Sequence, residues 1–242
     1  MRHGESQWNL ENRFTGWTDV DLTKKGELEA KLSGQLLKKE QFEFDIVYTS
    51  VLKRANRTME ICLKEMNIDK IPITYDWRLN ERHYGALQGL NKAETAQKYG
   101  EKQVLIWRRS YDIAPPKLNI KDKKHPSYDL KYQKLKKNEL PEGESLKDTL
   151  IRVMPLWKND IIPRISSLQK ILIVAHGNSL RAIVKILDCI SKEKIIETNI
   201  PTGIPLVYEF NEKLNPIKNY YLGKQNEVEK KIASVISQGK SN

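Results

Sequence analysis

The chain has 242 residues, 39% of them hydrophobic and 30% charged, which suits one α/β domain with a sizeable core. No stretch approaches the roughly 18 consecutive apolar residues of a membrane span, and the first residues lack the apolar centre of a signal peptide, so a cytoplasmic protein without a membrane partner is expected. Cys62 and Cys189 are too few and too distant in sequence to suggest a disulfide framework or zinc knuckle. The net charge of +11 comes from lysines spread along the chain and densest over 117–137. That run lacks a nucleic-acid fold signature and is read as a solvated basic loop, while the overall field would gather small anions.

In chain order, Thr23 is a capping residue for a helix carrying Leu28, Leu32, Leu36 and Leu37 at helical spacing. Asp45 to Tyr48 reads as a short strand. Ser50 is expected to cap a second helix with a buried stripe of Leu52, Ala55, Met59, Cys62 and Leu63. Ile71 to Tyr75 is another strand candidate, and Asn91 to Gly100 a short helix stopped by its glycine. Residues 110–144 form a long excursion rich in proline, lysine and tyrosine, either lying over the active face or partly disordered. Helical spacing resumes at Ser145 with Leu146, Leu150, Val153 and Leu156. Ile171 to Ala175 is a continuous apolar run, as in a parallel strand buried on both faces. A helix is expected from about Leu180 to Asp188, and a last strand over Pro205 to Phe210. Strands alternating with helices argue for an α/β sandwich formed by one domain spanning 1–242.

Open α/β sheets bind ligands where strands end and helices begin, and helix N-termini there favour anions. His176-Gly177 sits at such a turn, and His3-Gly4 repeats the dipeptide beside Arg2. One His-Gly alone is ordinarily structural; two in a chain with four histidines point further. Imidazole can attack phosphorus, and a guanidinium fork matches phosphate oxygens. His3 could therefore carry a phosphoryl group clamped by Arg2, Arg54 and His176, with Glu81 as general acid and base. A metal site on His3, His176 and Glu81 is disfavoured, and no metal is expected.

Arg2-His3-Gly4-Glu5-Ser6 resembles the signature of the histidine phosphatase superfamily. The run from Trp8 to Asp19, Thr49 to Ala55, Leu79 to Lys92, Glu144 to Thr149, Ala175 to Arg181 and Ile200 to Leu206 resembles cofactor-dependent phosphoglycerate mutases, in family order across almost the whole chain. The resemblance implies a three-layer α/β sandwich with a mostly parallel central sheet. It implies interconversion of 3-phosphoglycerate and 2-phosphoglycerate, a step of glycolysis and gluconeogenesis, through a phosphohistidine at His3 primed by 2,3-bisphosphoglycerate. Ser6, Asn9 and Gly177 would complete the phosphoryl pocket. Thr15, Gly16, Arg82, Tyr84, Lys92, Arg108, Arg109 and Asn178 would hold the rest of a phosphorylated glycerate. The tail, 222–242, would close over the site, and a homodimer or homotetramer is expected.

The family pattern has an apolar strand ahead of Arg-His-Gly, whereas Met1 directly precedes Arg2 here. That first strand is expected to be missing, through a truncated start or a degraded paralogue. The competing readings are a phosphatase or bisphosphoglycerate synthase-type relative with the same chemistry, and a catalytically inert truncated form.

Overall fold

A computed structural model describes residues 1–237 of the chain. Its elements are α1 (Gln7–Leu10), α2 (Lys24–Lys39), β1 (Ile46–Thr49), α3 (Lys53–Glu65), β2 (Ile73–Tyr75), α4 (Lys92–Tyr99) and α5 (Glu101–Arg109). There follow α6 (Leu146–Leu156), α7 (Ile162–Ser166), β3 (Ile171–Val174), α8 (Gly177–Leu187), β4 (Leu206–Phe210), β5 (Pro216–Tyr221) and α9 (Gln225–Ser237). Parallel strands in the order β2-β1-β3 form the central sheet, with Val47 opposite both Ile73 and Leu172.

Apolar side chains leave the sheet on both faces, which requires a layer of helix on each. On one face Val47, Leu172 and Val174 pack with Leu37, Met59 and Cys62 from α2 and α3. On the other, Ile46 and Tyr48 pack with Val153 and Leu156 of α6 and Ile183 of α8. Each fully buried Leu, Ile or Met contributes on the order of 1.5–3 kcal/mol. The fold is thus the expected three-layer α/β arrangement.

Several local expectations changed. In α2, Leu28 and Leu32 are each 53% exposed, and the buried face is instead Gly26, Ala30, Ser33, Gly34 and Leu37. The reason is close approach to α3: a Cβ on Gly34 would lie 2.4 Å from the Cys62 carbonyl. Only small residues allow that approach, so the leucine spacing is not the buried one.

Ser50 does not cap α3. Leu52 occupies that position, without a side-chain cap; the Ser50 hydroxyl meets His176 Nε2 and accepts from Leu52 N at 3.2 Å, short of the first helical N–H groups. The helix after β3 starts at Gly177 rather than Leu180, and β5, which the sequence reading missed, pairs antiparallel with β4. The excursion folds as short 3-10 turns, with Leu118, His125 and Tyr132 buried. Tyr132 packs 4.7 Å from the Trp17 ring and accepts from Asn80 Nδ2 at 2.9 Å, so this segment buttresses the run that carries Glu81.

Beside β3, residues 1–3 form a short parallel ladder. Met1 N donates to Ile173 O at 2.6 Å, Ala175 N to Met1 O at 3.1 Å, and His3 N to Ala175 O at 3.0 Å. Arg2 is bridged on its other side to Thr202. Residues 1–3 thus lie alongside β3, in the lane where the resemblance places the strand that leads into His3. No helix of the described residues is long and apolar enough to cross a membrane.

Candidate active site at the carboxyl end of the sheet

His3 leaves the short ladder at the carboxyl end of β3, where His176 ends that strand and α8 begins. The two imidazoles lie 4.9 Å apart, edge to face, and both are buried. His3 Nδ1 is 2.6 Å from the Gly4 carbonyl. A carbonyl can only accept, so Nδ1 carries the proton and Nε2 keeps its lone pair. His176 Nε2 is 2.7 Å from Ser50 Oγ, and its Nδ1 is buried without a protein partner. Burial, then the charges of Arg54 and Arg2, hold His3 well below the usual imidazole range. His176 is lowered by burial and then by Arg54 and His3. Both rings are therefore neutral near pH 7, as a nitrogen nucleophile must be.

Arg54 donates to Thr18 O at 2.9 Å and Gly16 O at 2.8 Å, so the 15–18 loop holds its guanidinium beside His3. Gly16 has φ +56°, and a Cβ there would lie 1.9 Å from Gln88 Oε1. Glycine is required at that turn. Arg2 donates to Ile200 O at 2.9 Å and keeps a buried Nε without a partner.

Glu81 is gripped at one oxygen. Its Oε1 accepts from Arg82 N at 2.8 Å, Asn178 N at 3.1 Å and Asn178 Nδ2 at 2.9 Å. Oε2 lies nearer Gly177 and Arg2, since a Cβ built on Gly177 would meet Glu81 Oε2 at 3.7 Å and Arg2 Nε at 3.5 Å. The Glu81 backbone is also fixed: its carbonyl accepts from Trp17 Nε1 at 2.7 Å and Arg152 Nη2 at 3.2 Å. Arg152 is itself held by a buried ion pair with Glu144, 2.6 Å long.

A cleft of about 70 Å³ opens above these groups. Its walls include Arg2, Asn9, Thr15, Glu81, Tyr84, Lys92, Arg108, Arg109, Gly177 and Asn178, all of them anticipated from sequence. His3, His176 and Arg54 lie buried outside that lining, and Gly16 serves through its carbonyl. Two anticipated residues face elsewhere. Ser6 caps α1 and donates to Asn9 Oδ1 at 2.9 Å. Arg82 donates to Tyr84 Oη and the Arg108 carbonyl, with Nε and Nη1 buried and without a partner.

The sequence reading did not single out Arg13 and Arg181, which also line the cleft. Arg181 donates to Asn178 Oδ1 at 2.9 Å and to Ile195 O at 2.6 Å. Its spacing of three from Asn178 on a helix was the available signal. α9 covers the mouth: Val235 lines it and its carbonyl faces Arg109 Nη2 at 3.5 Å, while Lys231 bonds Glu29 Oε1 and Thr202 O at 3.0 Å. The expected closing tail reaches Ser237 in this form, and residues 238–242 lie outside the described residues.

The electrostatics are one-sided. Among the described residues Glu81 is the only carboxylate of the lining, against six Lys and Arg side chains. Burial first, then like charges, lowers Lys92 well below its usual value, Arg109 to about 10 and Arg181, whose main repeller is Arg109, to about 9. Such a cluster is complementary to a compact polyanion and repels a metal ion. Among the described residues no group of three or more His, Cys, Asp or Glu could hold one.

Comparison with known proteins agrees with this architecture. The model of the histidine phosphatase superfamily (branch 1) matches residues 1–121 and 116–221. Among solved structures, the alpha-ribazole phosphatase from Shigella flexneri is 21% identical with a TM-score of 0.64, covering 93% of this chain and 94% of that one. A mycobacterial glucosyl-3-phosphoglycerate phosphatase is 21% identical with a TM-score of 0.65, covering 91% and 93%. YhfR from Bacillus stearothermophilus is 24% identical with a TM-score of 0.64, covering 89% and 91%. At these identities the likeness is one of fold.

Proposed function

Because this chain belongs to the histidine phosphatase superfamily, we propose that it transfers phosphoryl groups through His3, as a mutase acting on phosphorylated glycerate. The observation that carries the reading is the second set of cations. Arg2, Arg54 and His176 suffice for the transferred group, whereas Lys92, Arg108, Arg109 and Arg181 stand on the cleft wall as partners for a further carboxylate or phosphate.

In the forward half-reaction His3 Nε2 attacks phosphorus. The N–P bond forms, the P–O bond to the sugar-acid oxygen breaks, and Glu81 Oε2 supplies the proton that oxygen needs. Charge on the three equatorial oxygens is stabilised by Arg2, Arg54 and the His176 side. In the return half, a glycerate hydroxyl gives its proton to Glu81 and takes the phosphoryl group, which regenerates the His3 lone pair. The buried, unpartnered Arg2 Nε and Arg181 Nε, both on the cleft wall, suit a bisphosphate ligand. When bound, 2,3-bisphosphoglycerate would supply the phosphoryl group that loads His3.

A second reading, phosphatase action, is favoured by the named activities of the similar structures. It differs in the final acceptor, which is water. The deciding assay follows 3-phosphoglycerate with and without 2,3-bisphosphoglycerate, reading 2-phosphoglycerate and inorganic phosphate together. Primer-dependent 2-phosphoglycerate is the expected result. Phosphate release without isomer would replace the mutase by the phosphatase.

A further inference from the structure

The His176 ring is neutral, since burial and then the charge of Arg54 disfavour a second proton. It therefore has one N–H donor and one lone pair. A lone pair turned towards phosphoryl oxygens would repel them, whereas an N–H would stabilise the charge they carry. Which nitrogen holds the proton is decided by Ser50, a residue outside the cleft wall.

Thr49, the last residue of β1, pairs with Val174 of β3, so Ser50 and His176 leave neighbouring strands at the same end of the sheet. Both are fully buried. Ser50 Oγ lies 2.7 Å from His176 Nε2 and accepts from Leu52 N at 3.2 Å. A hydroxyl has one proton and two lone pairs. The Leu52 N–H can only donate, so among the described residues His176 Nε2 is the hydrogen-bonded acceptor left for the Ser50 proton. The opposite assignment, Nε2–H donating to Oγ, would bury the hydroxyl proton without an acceptor, which is costly. Nε2 therefore holds the lone pair and Nδ1 the proton. That Nδ1 is buried without a protein partner, on a ring 4.9 Å from His3. Arg2 Nε, buried and unpartnered too, lies 3.5 Å from a Cβ built on the next residue, Gly177.

We propose that Ser50 is a positioning residue for phosphoryl transfer: its hydroxyl donates to His176 Nε2, holds that imidazole as the Nδ1–H tautomer, and so commits the Nδ1 proton to an oxygen of the group carried by His3. The assignment rests on the phosphoryl-transfer reading above and deepens it by giving His176 one chemical state. The two histidines are then set in complementary ways. The Gly4 carbonyl keeps the proton on His3 Nδ1 and frees Nε2 to attack. Ser50 keeps the proton on His176 Nδ1 and frees it to donate. Ser50 itself meets no substrate in this scheme and acts through the ring.

Proton–nitrogen correlation spectra of the full chain, labelled with heavy nitrogen at histidine, report which ring nitrogen carries the proton, and His176→Gln identifies the His176 signals. Wild-type His176 is expected as Nδ1–H, Ser50→Ala as a mixture or as Nε2–H, and Ser50→Thr, which keeps the hydroxyl, as Nδ1–H. Phosphorylation of His3 by 2,3-bisphosphoglycerate should slow about 10- to 100-fold in Ser50→Ala, with little change in the half-saturating concentration, as when a transition-state donor is lost. Ser50→Thr should recover most of that rate. An Nε2–H signal in the wild-type chain overturns the proposal without any variant, and so does a Ser50→Ala chain that keeps Nδ1–H or the wild-type rate. A wild-type chain that shows Nδ1–H but takes no phosphate from 2,3-bisphosphoglycerate would instead strike the phosphoryl-transfer reading, with the hold of Ser50 on the ring upheld.

Discussion

Asn178 holds one oxygen of Glu81 twice, through its backbone N–H at 3.1 Å and its Nδ2 at 2.9 Å. Asn178 is in turn oriented by Arg181, which donates to its Oδ1 at 2.9 Å. The chain Arg181–Asn178–Glu81 thus fixes which carboxylate oxygen is occupied and which is presented to the cleft. A carboxylate free to rotate would spend part of its time misaligned for proton transfer.

Asn178→Ala removes the side-chain half of this grip while leaving the backbone half. A hydrogen bond to a charged group is worth about 1.5–3 kcal/mol, so the rate of His3 phosphorylation should fall about 10- to 100-fold. Rapid-quench measurement of phosphoenzyme checks this, and an unchanged rate would remove Asn178 from Glu81's alignment.

Lys92 is buried beside Arg108, Arg2 and Arg109, and burial followed by those charges keeps its pKa far below that of a free lysine. An anion entering the cleft reverses the balance and favours the charged ammonium. Binding should therefore take up protons, and affinity should weaken as pH rises. Calorimetry of phosphoglycerate binding in buffers of different ionisation enthalpy reads the uptake directly. Lys92→Met should abolish that uptake; a wild-type value in the variant would assign the proton elsewhere.

Four buried histidines make stability depend on pH. Burial lowers His3 and His176 well below 6.5 and His83 to about 3, and lowers His125 as well. As pH falls below about 6.5, the unfolded chain binds protons that the native histidines refuse, so unfolding becomes easier with acid. Each such histidine costs about 1.4 kcal/mol per pH unit below that point, down to about pH 3 for His83. Denaturant midpoints should be flat above pH 7 and drop steeply between pH 6.5 and 5. Replacing His83 by Gln should soften the slope by about one quarter, and a slope that stays put would shift the effect to other groups.

Deleting residues 223–242 removes α9 and the Val235 wall of the cleft. Water competes for a phosphohistidine that is not shielded. The truncated chain should therefore show a lower ratio of phosphoryl transfer to hydrolysis, measured from isomer and phosphate formed together. An unaltered ratio would leave α9 without a shielding role.

Much of this protein was legible in its sequence because the signals are local. Alternating apolar runs and helical spacing placed β1, β3, α3 and α6, since burial on both faces of a sheet leaves a continuous apolar stretch such as Ile171 to Ala175. The family resemblance carried by the motifs around His3, Glu81 and His176 named most residues of the cleft wall, though not Arg13, Arg181, Ile200 or Val235. Relations between distant segments were decided only by tertiary structure. Leu28 and Leu32 face solvent because Gly34 lets α3 approach too closely for leucines to intervene. Ser50 meets His176 as well as the Leu52 N–H ahead of its own helix, and the first of these contacts is set by a partner 126 residues away. Arg181 and Arg152 acquire their roles from carbonyls and carboxylates that local spacing cannot reveal.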